Sequence, residues 1–315
     1  MSRFNVLLAV ALCGPMNFAC DEKPDEPAAG QAAVAPEAKA DTKSEAKAES
    51  KFLRFVEEPD GSARLESAIR RYTDDQGRVV DLIGAVHIAD GAFYDELNSL
   101  FKTYDALLYE AVAKKDQRPT GGGGDSPVSK LQRGMKDLLD LEFQLDGIDY
   151  MAENFVHADL EPAEFFQLMD EKGESLFTLM LQVMLSEMKR GSDNPEEAQA
   201  QGMLMVMALF AKDRARALKV VLGKQFDDLE RLSAGLERGL DGEGSVLVVE
   251  RNKAALRAMT ERLDAGDQRL GIFYGAAHLA DMEARLIETH GFEQTSETWQ
   301  TAWNIPPTTK TGTDG

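Results

Sequence analysis

The chain has 315 residues, 43% of them hydrophobic, and a formal net charge of −20. The acidic excess runs along the whole length and leaves nothing to neutralise a row of phosphates, so no nucleic acid is expected among the partners. The apolar fraction suffices for one substantial core, and a single catalytic domain over 51–305 is expected.

Residues 1–20 read as an export signal. Arg3 supplies a short positive region, and Val6 to Leu12 is an apolar stretch too short to span a bilayer. It ends at Ala19-Cys20, a small residue before cysteine as in a bacterial lipobox, which marks Cys20 for lipidation and implies an exported protein anchored by its lipid to a bacterial membrane. Asn17 and Phe18 depart from the usual lipobox, so a plain secretory signal is the alternative. Cys13 and Cys20 are the only cysteines, which leaves the mature domain without an internal disulfide and without cysteine chemistry. Residues 21–50 are mostly Ala, Glu, Lys, Pro and Asp with no apolar period and are expected to form a disordered tether. A disordered tail is expected over 306–315.

Within the folded unit, strands are predicted at 52–56 and 67–72, with a turn at Pro59-Asp60-Gly61 between them. A turn at Asp75-Gln76-Gly77 then leads to the mostly aliphatic Val79 to Ile83, the composition of a central strand. Phe93, Leu97, Leu100 and Phe101 recur at helical spacing, and Ala106 to Tyr109 reads as another buried strand. Gly121 to Gly124 mark a loop. Residues from about 128 to 240 read as an almost wholly helical insert, whose Met-rich stretches at 176–188 and 203–210 are taken as amphipathic or buried helices rather than a peptide groove. The sheet resumes with a strand at Ser245 to Val249, a helix carrying Ala255, Leu256, Met259 and Leu263, a strand at Leu270 to Tyr274, a helix ending before Gly291, and a closing strand at 298–303. The predicted class is α/β: a mostly parallel central sheet of two related halves, interrupted by the helical insert.

The chemistry is concentrated in an internal echo. Gly84-Ala85-Val86-His87-Ile88-Ala89-Asp90 and Gly275-Ala276-Ala277-His278-Leu279-Ala280-Asp281 agree at Gly, Ala, His, Ala and Asp, and each follows an aliphatic strand and precedes a helix. In an open parallel sheet such turns collect at the carboxyl edge, where ligands bind. Glycine permits a sharp turn there, and a histidine in the loop before a helix is kept neutral by the helix dipole, as a metal ligand or general base requires. Asp90 and Asp281 read as helix N-caps. Glu110 ends the Ala106 strand, one strand-helix-strand unit after His87, and belongs to the same edge. Arg251, in Glu250-Arg251-Asn252, is placed to hold an oxyanion or to orient a carboxylate. His157 and His290 read as structural, and Asp149 is a lesser candidate.

These residues resemble the TraB/TIKI superfamily, which includes the GumN-like and pheromone-shutdown proteins and is related more distantly to erythromycin esterases and the ChaN-like fold. The resemblance covers Asp81 to Val112, with GAVH and the strand-ending Glu110, and Val249 to Gly291, with ERN and GAAH. It implies an EreA/ChaN-like α/β domain of two related halves and, from the animal members, a divalent-metal-dependent peptidase favouring manganese or cobalt. His87 and His278 then fall on the two Gly-x-x-His histidines, Glu110 on the essential glutamate and Arg251 on the motif arginine.

The resulting expectation is metal-assisted hydrolysis of a peptide or small amide or ester. His87 and His278 hold the ion, Glu110 ligates it or activates water, and Arg251 stabilises negative charge. The alternatives are a metal-free esterase-like hydrolase and a non-catalytic lipoprotein that sequesters a peptide.

Overall fold

The computed structural model describes residues 52–119, 138–175, 192–226 and 244–308, with the single positions 134, 136, 178, 185, 188 and 189. The expected export segment with Cys20, the expected tether, the predicted loop at Gly121 to Gly124, most of the first Met-rich stretch and the residues from 309 lie outside the described residues.

Strands β1 (Leu53–Glu57), β2 (Ala63–Thr73), β3 (Val79–Ala85), β5 (Ala106–Tyr109), β7 (Phe155–His157), β8 (Arg269–Gly275) and β9 (Glu293–Ile305) build one seven-stranded sheet. β3, β8, β5 and β7 are parallel neighbours in that order. β2 runs antiparallel to them, pairing with β3 through Ile69–Thr73 and with β1 through Ala63–Ser67, while β9 runs along its other side. A two-stranded ladder, β4 (Ile88–Ala89) with β6 (Glu142–Phe143), stands apart.

Both faces of the parallel strands are covered, which is why they read as continuous apolar runs rather than alternating ones. On one face Ile83, Leu107, Tyr109 and Phe273 pack with helix α1 (Gly91–Phe101) through Phe93, Leu97 and Phe101. Two short helices lie close by in sequence, α2 (Gln144–Gly147) and α3 (Pro162–Glu171). Helix α4 (Pro195–Leu209) pairs with α5 (Arg214–Phe226), whose Leu218, Leu222 and Phe226 join the first face. On the other face Val80, Leu82, Leu108, Ile272 and Tyr274 pack with α6 (Arg251–Asp264) through Leu256 and Met259, and with α7 (Ala276–Glu288) through Leu279 and Met282.

Three expectations change. Residues 155–157 lie inside the predicted insert yet form sheet strand β7, held by register with Leu107–Tyr109 and by Phe155 packing on Phe101 and Tyr109. Val246–Glu250 is a turn of π-helix running into α6, not a strand. Its apolar run is buried against α3 and α6, and Ser245 accepts a hydrogen bond from the Val248 N–H, so burial on all sides made a helix look like a core strand. Finally, α4 exposes most of its second Met-rich stretch: Met207 is 63% and Phe210 86% accessible, and Ala208 is its buried residue. None of the described helices is long and apolar enough to cross a membrane.

Candidate functional site

The parallel order puts β3 and β8 side by side, with Ala85 opposite Gly275, so the two matched turns leave the sheet next to each other. Their glycines serve different ends. Gly84 lies within β3, where a Cβ would stand 2.3 Å from the Ser67 hydroxyl that donates to the Gly84 carbonyl. Gly275 is the N-cap position of α7, which begins at once. His278 therefore sits in the first turn of a helix and is buried, whereas His87 precedes β4 in an extended turn and is half-exposed. Asp90 is the N-cap residue of α1 but does not cap it with its side chain; its carboxylate takes Lys219 Nζ at 3.1 Å and the Asn304 N–H. Asp281 lies within α7 and is not a cap, accepting from Asn252 and Arg285.

Glu110 and Arg251 meet at the end of β5. Arg251 Nη2 donates to Glu110 Oε1 at 2.7 Å and to Asp159 Oδ2 at 2.6 Å, and Arg251 Nε to Asp159 Oδ1 at 3.0 Å. The Gly275 N–H donates to Glu110 Oε2 at 2.7 Å. Both oxygens of Glu110 thus have donors, and residue exposures of 3% for Glu110 and 1% for Arg251 put the pair out of bulk water. Of the two roles open to Arg251 in the sequence, this geometry is that of orienting a carboxylate. Burial opposes the charged form of Glu110, but Arg251, the His278 and His87 imidazoles and the Gly275 N–H outweigh it and hold the carboxyl at about 2. An acid that weak in basicity is a poor proton acceptor near neutral pH.

His278 Nε2 stands 3.7 Å from Glu110 Oε1. On its other side Nδ1 lies 2.7 Å from Asn252 Oδ1. The Asn252 amide orientation is set by two acceptors, since its Nδ2 donates to the His278 carbonyl and to Asp281. Its oxygen must therefore accept, which puts the His278 proton on Nδ1 and a lone pair on Nε2, facing the carboxylate. Burial lowers the His278 pKa to about 4 against the pull of Glu110. With His278 neutral, the standing hold on Glu110 comes from Arg251 and Gly275. Two acceptors face one another across 3.7 Å, an arrangement that suits a proton or a cation between them.

His87 follows the end of β3, next to the turn that leads into α7. Its Nδ1 lies 2.8 Å from Gln144 Oε1, and it lines a small, largely apolar cleft with Leu53, Val86, Phe226, Ala276 and Ala277. It is near enough to Glu110 to help lower that carboxyl. Glu110, His278 and Arg251 are thus brought into direct contact and His87 to the adjoining cleft. Among the described residues, no three of His, Cys, Asp and Glu form a group of metal-binding size. The pair of His278 Nε2 and Glu110 Oε1 does fit a divalent ion in chemistry: one neutral imidazole and one ionised carboxylate, at a separation that two ligands of one ion can have.

The remaining candidates lie elsewhere. Asp149 is exposed and caps a turn through the Met151 N–H. His290 does not gain a proton from the end of α7, because burial lowers its pKa. His157 ends β7 at the same sheet edge, with Nε2 at 2.7 Å from the Ala111 carbonyl and Nδ1 buried without a hydrogen-bond partner. Asp159, Asn252, Gln144 and Tyr150 escaped the sequence reading. Asn252 stood in the quoted ERN triplet, but Asp159 and Gln144 become legible only once β7 and the β4–β6 ladder are known.

No family model matches the chain, and no curated protein or solved structure matches it. The chemistry of the site rests on its own geometry.

That geometry carries a pH dependence. His278 is lowered from 6.5 to about 4, so an unfolded chain binds its proton first, and the stability it contributes is complete above pH 6.5 and lost as pH falls towards 4. The loss expected is about 3 kcal/mol. The share of Glu110, complete above its ordinary value, is lost lower, as pH falls through about 2. Thermal melts between pH 7 and 4 on the native chain and on His278→Asn should show the steeper loss in the native chain; parallel slopes would refute the assignment.

Proposed function

We propose that this protein is a hydrolase of the TraB/TIKI-like kind with an EreA/ChaN-like domain, acting on a peptide or a small amide or ester at the paired turns. It is exported and tethered to a bacterial membrane through a lipid on Cys20. One observation supports the reading above others: two imidazoles come from matched turns, each with a carboxamide at Nδ1, and one of them stands against a buried carboxylate anchored by arginine. A packing role explains neither the duplicated histidine nor the burial of Glu110 with Arg251 and Asp159.

In this reading His278 and Glu110 would hold a divalent ion, manganese or cobalt by resemblance, with His87 as a further ligand or as the base. When bound, such an ion polarises the carbonyl under attack and acidifies water. Arg251 keeps Glu110 ionised and aimed, Asn252 keeps the lone pair of His278 on Nε2, and the apolar cleft beside His87 limits the access of water. The low pKa of Glu110 assigns it to holding charge rather than to taking the proton from water.

A second, metal-free reading is favoured by the saturation of both Glu110 oxygens and by the absence of a three-ligand group among the described residues. His87 is then the general base and the Glu110–Arg251 unit tunes His278. Protein stripped with a chelator and assayed on peptide and ester libraries, with and without added manganese, separates the two. Activity that vanishes on stripping and returns with the ion supports the metal reading, and activity indifferent to chelator supports the esterase. A protein that turns over nothing in either state, yet binds a peptide independently of Glu110, would overturn both.

A further inference from the structure

Gln144 opens the short helix α2, and the chain is brought to His87 by the β4–β6 ladder, in which Ile88 pairs with Phe143 and Ala89 with Glu142. Next in register, the Gln144 N–H donates to the His87 carbonyl at 2.9 Å. The backbone therefore fixes the spacing of the two residues before their side chains meet, at 2.8 Å between His87 Nδ1 and Gln144 Oε1. The other end of the amide is anchored too: Gln144 Nε2 donates to Tyr150 Oη at 2.7 Å. Tyr150 is itself wedged edge-on between Tyr109 and Phe155, at ring separations of 5.5 and 5.7 Å, so the core under β5 and β7 sets where its hydroxyl lies.

A buried glutamine is costly unless each end of its amide is hydrogen-bonded, and Gln144 is 4% exposed with both ends engaged. In this orientation, with its nitrogen on the Tyr150 hydroxyl, the Gln144 oxygen accepts and His87 Nδ1 carries the proton. This repeats, with unrelated residues, what Asn252 does for His278. The two matched turns thus share not only their Gly-x-x-His but a carboxamide at the histidine Nδ1, one from α6 and one from the start of the helical region after β6.

Resting on the hydrolase reading for its functional consequence, we infer that Gln144 is a positioning residue, anchored by Tyr150, that sets the ring of His87 and holds it as the Nδ1–H tautomer. A fixed tautomer is what separates a histidine able to accept a proton or ligate at Nε2 from one that must first rearrange. Gln144 does not touch the reacting atoms in this scheme and acts through His87.

The test uses the full chain labelled with 15N at histidine, read by long-range proton–nitrogen correlation at pH 7.5. With four histidines, the His87 signals are assigned by their loss in His87→Ala. The expected result is a single Nδ1–H pattern for His87 in the native protein, its collapse to a mixture or to Nε2–H in Gln144→Leu, and its return in Gln144→Glu, which keeps an acceptor at the same place. The His278 pattern should not change in either variant. An Nε2–H pattern for His87 in the native protein overturns the inference outright, because it means that Tyr150 donates and Gln144 is reversed. Nδ1–H retained in a folded Gln144→Leu overturns it as well. Should Gln144→Leu fail to fold, the native and Gln144→Glu spectra still decide. Where a substrate is found, Gln144→Leu should lower kcat about 10- to 100-fold with KM little changed, and Gln144→Glu should restore it. Failure to find any substrate would count against the hydrolase reading and leave the tautomer result standing.

Discussion

Replacing Arg251 by Met is expected to cost the domain about 3–5 kcal/mol, because it leaves two ionised carboxylates buried without their cation. Glu110 and Asp159 both bond the same guanidinium, and neither has solvent to turn to. The cost is that of an orphaned pair of charges rather than of one lost hydrogen bond, which alone would be worth about 1 kcal/mol. The midpoint of thermal unfolding should fall on the order of 10 °C for a domain of this size. Glu110, freed from its neighbour, should also lose its depressed pKa and with it the capacity to hold charge beside His278. The triple variant Arg251→Met, Glu110→Gln, Asp159→Asn removes the charges together and should recover much of the stability, without recovering turnover. A single Arg251→Met variant that melts within a degree or two of the native chain would show the triad to be far more hydrated than its geometry indicates.

The second large effect separates the two histidines. His87→Ala and His278→Ala should each lower turnover by about 10²- to 10⁴-fold, the range for losing a positioned acid, base or ligand. Their stabilities should differ. His87 lies half-exposed in an extended turn, and its removal should shift the melt little. His278 is 4% exposed in the first turn of α7, packs edge-on to Tyr274 and satisfies the Asn252 amide. Truncating it strands the Asn252 oxygen and opens a small void, at a cost of about 1–3 kcal/mol. The sequence alone, placing both residues in loops, predicts that neither change matters to folding. Equal melts for the two variants would favour that simpler view. Calorimetric titration of manganese into both, set beside the native chain, reports whether either imidazole is a ligand; affinity unchanged in both leaves the metal-free reading.

The central strands were legible because a strand covered on both faces must be largely apolar, and Ala106–Tyr109 and Leu270–Tyr274 satisfy that with turn residues at their ends, as does Val79–Ile83 apart from Asp81, whose buried carboxylate is bonded by Arg71 and Tyr104. The same rule misplaced Val246–Val249, since total burial erases the period that distinguishes a helix from a strand. β7 was missed for the converse reason: three residues are too few to show any period, and only its pairing with β5 defines it.

For the site, what the residues themselves determined was which groups carry chemistry: the duplicated Gly-x-x-His and the glutamate that ends an apolar strand. These are local patterns, and local patterns survive without a fold. What only the tertiary structure decided was their grouping and their charge states. The crossover from β3 to β5 leaves room for β8 between them, which sets the two turns side by side and lowers Glu110 onto Arg251 and the Gly275 N–H. The partners that fix tautomer and pKa, Asn252, Asp159 and Gln144, come from elements far away in the chain. Burial and hydrogen bonding act through space, and nothing in the spacing of residues along the chain records them.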